Sequence, residues 1–97
     1  MFEIEQISDT QWKFRGRMDA KQAEKAATEL SGLRVTATID MKDLEYISSM
    51  GLSVLMRVHK ELHDNGHQLK LSHVNKHVRD VLRFTRLDQV FVILDSD

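Results

Sequence analysis

Ninety-seven residues and 11.3 kDa make one domain and leave no room for a second core. Hydrophobic residues at 41% and charged residues at 30% exclude a disordered or collagen-like chain, and a chain without cysteine excludes disulfide scaffolds, thiolate catalysis and iron–sulfur clusters. Fourteen basic against fifteen acidic residues give a net charge of −1, so bulk charge gives no sign of a nucleic-acid partner. The N-terminus opens Met-Phe-Glu-Ile-Glu, unlike a secretory signal, and no apolar run approaches the length of a membrane span. These features predict a soluble, cytoplasmic, single globular domain over residues 1–97 with no membrane insertion.

The sequence contains no proline, so Gly16, Gly32, Gly51 and Gly66 carry the punctuation. Phe2, Ile4 and Ile7 are loosely patterned ahead of a turn at Ser8-Asp9-Thr10. Trp12, Phe14, Gly16 and Met18 then alternate with Lys13, Arg15 and Arg17, the period of a half-buried strand paired with the first as a hairpin. Asp19 stands where a helix N-cap belongs, Ala20, Ala23, Ala27 and Leu30 follow at helical spacing, and Gly32 marks the stop.

Leu33, Val35, Ala37 and Ile39 alternate with Arg34, Thr36 and Thr38, which predicts a strand over Leu33–Ile39. A second helix is expected from near Ser49 to about Asn65. Its stripe is Leu52, Leu55, Met56 and Leu62, extended by Val54 and Val58, and Gly66 lies just past its end. Leu69 and Leu71 mark a short strand. Val74, Val78, Val81, Leu82 and Thr85 hold helical spacing behind a cap at Asn75 or Ser72, and the apolar run Val90–Leu94 reads as a buried strand. The order β-β-α-β-α-β-α-β makes this an α/β domain: a mixed sheet of four to five strands, with helices packed against it and right-handed crossovers into its parallel part.

Few residue groups suggest chemistry. His59 and His63 lie four apart on a helix, but two ligands fall short of the four a structural zinc needs, and no metal site is expected. His67, His73 and His77 read as surface or loop residues. Lys70, His73, Lys76, His77, Arg79, Arg83 and Arg86 make the third-helix region basic, without the aromatic interleaving of a nucleic-acid site. Met18, Met50 and Met56 are candidates for an adaptable contact surface, Met56 better suited to the core and Met50 to an interface. No nucleophile, base and orienting group fall in a recognisable context, so the expectation is a non-enzyme without cofactors.

Ser48 and Ser49 precede the second helix, and a serine there caps it through its hydroxyl. Both serines as caps is one reading. The other is that a helix N-terminus, with free N–H groups and a positive dipole end, accommodates a phosphate. Gly51 serves either close backbone approach or packing.

The run Leu44-Glu45-Tyr46-Ile47-Ser48-Ser49-Met50-Gly51-Leu52-Ser53-Val54-Leu55 resembles the signature turn of STAS domains, the anti-sigma-factor-antagonist modules. Gly16-Arg17-Met18-Asp19 resembles that family's corner before its first helix, and Ile39-Asp40 with Leu44 resembles its central strand. Val78-Arg79-Asp80-Val81-Leu82 with Thr85, Leu87 and Val90-Phe91 resembles its last helix and closing strand. The resemblance implies a STAS-like domain that docks, unphosphorylated, on an anti-sigma factor that is also a serine kinase, and so frees a sigma factor. It implies Ser49 as phospho-acceptor, with Ser48 second, a resetting phosphatase, and a docking surface of Asp19, Ser48, Ser49, Met50, Gly51 and Ser53. Ser48 stands where family members often carry an acidic residue, and Met50 where they carry Ser or Thr. Those departures keep open an alternative, an unphosphorylated scaffold or accessory subunit of a transporter or signalling assembly. The chain end at Asp95-Ser96-Asp97 implies no extra C-terminal helix of the kind longer relatives have.

Overall fold

The computed structural model describes residues 1–94 as one five-stranded sheet, in the order β1-β2-β3-β4-β5, with three helices. The strands are β1 (Phe2–Ser8), β2 (Gln11–Met18), β3 (Ala37–Ile47), β4 (Leu69–Ser72) and β5 (Val92–Ile93). The helices are α1 (Ala20–Leu30), α2 (Ser49–Asp64) and α3 (Lys76–Phe84), and a 3-10 turn lies at Leu87–Gln89. β1 and β2 form the expected antiparallel hairpin, turning at Asp9-Thr10. Every later neighbour is parallel, because a helix intervenes between each pair of strands.

The alternation along β2 holds: Trp12, Phe14 and Met18 are buried, while Arg15 and Arg17 reach solvent. Its inward residues join Ile39, Met41 and Leu44 of β3, Leu69 and Leu71 of β4 and the buried faces of the helices in a single core. Ala23, Ala26 and Leu30 face that core from α1; Leu52, Val54, Leu55, Val58 and Leu62 from α2; Val78 and Leu82 from α3. The caps fall where the polar residues predict. Asp19 caps α1, Asn75 rather than Ser72 caps α3, and Gly66, with φ +82°, follows α2.

Four details correct the sequence reading. The strand expected over Leu33–Ile39 begins at Ala37 and runs on to Ile47, and Val35 is 40% exposed in the preceding irregular segment. Pairing explains this: the register starts at Gln11↔Thr38 and Ala37↔Leu69, so nothing pairs with the earlier residues. Beyond Ile39 the polar Asp43 and Glu45 occupy the solvated side, which hid the strand's continuation. The run Val90–Leu94 yields a strand of two half-buried residues, because Val90 ends the 3-10 turn and only Phe91 is buried. Ala20 is exposed and Ala26 takes its place on the buried face of α1. Met18 is fully buried and forms no contact surface. The chain end at 95–97 lies outside the described residues.

Among the described residues no helix is long and apolar enough to cross a membrane.

Candidate functional site

Three strand-to-helix junctions share one edge of the sheet, because β2, β3 and β4 run parallel and each hands its chain to a helix at the same end. Each junction has a polar cap. Asp19 Oδ1 accepts from the Gln22 N–H at 3.0 Å, Ser48 Oγ from the Gly51 N–H at 3.0 Å, and Asn75 Oδ1 from the Val78 N–H at 3.0 Å. The first two junctions are also tied to each other. Met18 and Ile47 are register partners, and the Ser48 N–H donates to the Met18 carbonyl at 2.9 Å.

This geometry separates two serines that are adjacent in sequence. Ser48 is half-buried with extended backbone, φ −82° and ψ 170°, and its hydroxyl is committed to the cap. Ser49 is the first residue of α2 and is exposed, and its hydroxyl makes no hydrogen bond to another of the described residues. The first amides of a helix have no intrahelical acceptor. Ser48 Oγ takes the Gly51 N–H and the Ser48 carbonyl takes the Leu52 N–H, so the Ser49 and Met50 amides remain for an anion.

Met50 is 43% exposed beside Ser49, and Ser53 is exposed one turn further along the same side of α2. Gly51 is buried. A Cβ there would stand 2.8 Å from Ile47 Cγ1 and 3.2 Å from Met18 Cγ and Sδ, so the glycine lets α2 seat against the ends of β2 and β3. The structure thus brings Asp19, Ser48, Ser49 and Met50 to one edge, with Ser53 a turn above and Gly51 shaping that surface from beneath.

Two features escaped the sequence. The Asn75 amide donates to the carbonyls of Leu44 at 2.7 Å, Met41 at 3.2 Å and Lys42 at 3.4 Å. It replaces β4 as partner where β3 runs on beyond its last paired residue, Asp40. Arg17 lies over the Tyr46 ring, 4.5 Å from its centroid, one residue before each of the two tied junctions. A cross-strand register is needed to see either contact.

Elsewhere, Lys13 pairs with Asp43 at 3.1 Å, and its hydrogen bond holds that carboxyl below the usual range. His59 is half-buried. Its ring meets Phe91 edge-on at 5.7 Å and stacks on His63 at 5.8 Å, while Nδ1 is buried without a partner. Burial, then the neighbouring His63, pushes the His59 pKa below its ordinary 6.5. Among the described residues no three metal-ligating side chains gather in one place.

A family model described as STAS domain matches residues 2–96. BtrV of Bordetella bronchiseptica, named as an anti-sigma factor antagonist, is 35% identical over 75 residues, or 77% of this chain and 64% of BtrV. The chain therefore spans less than two thirds of that relative's length. The crystal structure of a Thermotoga maritima protein, also described as an anti-sigma factor antagonist, superposes with a TM-score of 0.79 at 21% identity, covering 100% of this chain and 86% of that one. SpoIIAA in its unphosphorylated form superposes at 0.73 with 18% identity, covering 100% and 90%. The phosphorylated form of the Bacillus protein superposes at 0.70 with 19% identity, covering 98% and 92%. At these identities the likeness is one of fold.

Proposed function

The chain belongs to the STAS domain family, and from that premise we propose that it is an anti-sigma-factor antagonist switched at Ser49. In its unphosphorylated state the domain docks on an anti-sigma factor that is also a serine kinase, in the cytoplasm, and a sigma factor is released. The kinase moves the γ-phosphoryl group of its ATP to Ser49 Oγ: the new P–O bond replaces the bond to ADP, and the hydroxyl proton leaves to the kinase's base or to solvent. A phosphatase resets the serine. The chain contributes a surface and an acceptor, and the partner contributes the catalysis.

One observation carries the reading: of two adjacent serines, Ser48 is consumed by the helix cap while Ser49 is exposed and uncommitted at the helix N-terminus. A phosphate on Ser49 meets the Ser49 and Met50 amides, so the fold tolerates it. At the surface of Asp19, Met50 and Ser53 it adds about −1.5 to −2 charges and opposes docking.

The test is incubation of wild type, Ser49→Ala, Ser49→Asp and Ser48→Ala with the cognate kinase and ATP, reading intact mass and complex formation together. Ser49→Ala should bind and take no phosphate, Ser49→Asp should bind weakly, and Ser48→Ala should still be phosphorylated. The substitutions of Ser48 and Met50 in the motif favour a second reading, an unphosphorylated scaffold or accessory subunit. A stable complex that ignores ATP and carries no phosphate would establish that one instead.

A further inference from the structure

The outward face of α3 differs from the rest of the surface. Val78 and Leu82 turn into the core, which leaves Lys76, His77, Arg79, Arg83 and Phe84 exposed. The Phe84 ring is 80% exposed, more than any other large apolar side chain except the terminal Met1. Charge is segregated to the same place: residues 69–86 hold five basic residues and one acidic, the rest of the chain nine and fourteen. The one acid, Asp80, is shared by Lys76 at 3.0 Å and Arg83 at 3.3 Å, so Arg79 and Arg86 have no ion-pair partner among the described residues. Arg86 also adopts φ +65°, the left-handed conformation that glycine favours after a helix. A long cationic side chain is thus kept at a position where its backbone is strained.

Exposed arginines and an exposed aromatic ring on one element are the composition of a protein interface, where both types are enriched and lysine is depleted. With its ring standing out into solvent, Phe84 is a knob and the pocket belongs to the partner. We propose that the exposed face of α3 and the turn after it, with Phe84 as apolar anchor and Arg79, Arg83 and Arg86 as cationic contacts on the same element, is a second docking surface. Its occupant is an acidic protein segment that carries an apolar pocket. α3 starts at the sheet edge that bears Ser48 and runs away from it, placing Phe84 about 12 Å along the helix from Lys76. Phe84 is thereby set back from the edge that carries Ser49 by more than the screening length of about 8 Å at physiological salt, so charge added at that edge is weakly felt there. The two surfaces can be occupied together.

The experiment puts the photo-crosslinker benzoylphenylalanine in place of Phe84 in the full chain, expressed in the cell that makes it. The expected adduct maps to a segment rich in Asp and Glu in another protein. It should fall at least tenfold in an Arg83→Glu, Arg86→Glu background and return when an acidic residue of that segment is reversed to Lys. It should be unchanged in a Ser49→Asp background. Arg86→Gly is the control for folding, since it relieves the left-handed backbone while removing the guanidinium: the thermal midpoint should rise and the adduct should weaken severalfold. The proposal is overturned by no adduct, by an adduct to lipid, to a second copy of this chain or to a segment without acidic residues, and by crosslinking that survives the arginine reversals. Loss of the adduct with Ser49→Asp would also overturn it, because the two surfaces would then be one.

Discussion

Ser48 and Ser49 show why a motif resolves only so far without a backbone. Serine favours a helix start, so the sequence places the pair at the beginning of α2 but not the division between them. That division depends on Ser48 having extended backbone, which aims its hydroxyl at the Gly51 amide. Ser48→Ala should therefore cost about 1 kcal/mol of stability, whereas Ser49→Ala should stay within about 0.5 kcal/mol of wild type. Urea midpoints of the two variants decide it, and equal losses would mean that both hydroxyls support the helix. Gly51 was legible as a glycine with two possible duties, and the structure assigns it packing. Gly51→Ala should lose about 1–3 kcal/mol despite alanine's better helix propensity, because the new methyl group presses on Ile47 and Met18.

At the scale of elements, periodicity identified what had a buried face and missed what depended on a partner. The stripes that place Leu55 in α2 and Leu82 in α3 are borne out, and both side chains are fully buried. Truncating either to alanine should cost about 2–5 kcal/mol, read as a fall in denaturant midpoint without a change of slope. β3 shows the opposite case. Its start was misplaced because alternation over Leu33–Val35 has no strand beside it, and its second half was missed because that half carries polar residues toward solvent. Asn75 holds that second half in place, so its two functions can be separated. Asn75→Asp keeps an acceptor for the Val78 N–H but loses the donor to Leu44, Met41 and Lys42 and sets a charge against three carbonyls. Faster amide exchange along Met41–Ile47, with α3 still protected, is the expected outcome.

For the whole molecule, the hairpin, helix order, parallel pairing and basic third-helix region follow from the order of patterns, while the exposure of Phe84 and the burial of His59 need coordinates. His59 makes stability pH-dependent with a definite sign. Its pKa is lower in the folded state than in the unfolded chain, so the folded state binds fewer protons as pH falls below about 6.5. The stability lost in that window comes from charging a ring packed against Phe91 and His63. His59→Phe should flatten the fall in denaturant midpoint between about pH 7 and 5, and a slope unchanged from wild type would assign it to other groups.

The first turn of α2 also bears on how such proteins diverge. Gly51, Leu52, Val54 and Leu55 are buried, whereas Ser49, Met50 and Ser53 face outward and are absent from the core. If the docking surface proposed above holds, changes at Met50 and Ser53 after gene duplication would alter partner choice while the scaffold stays neutral to them. Two copies in one cell would thereby become insulated channels through a few surface letters, with the folding text of the gene left unedited.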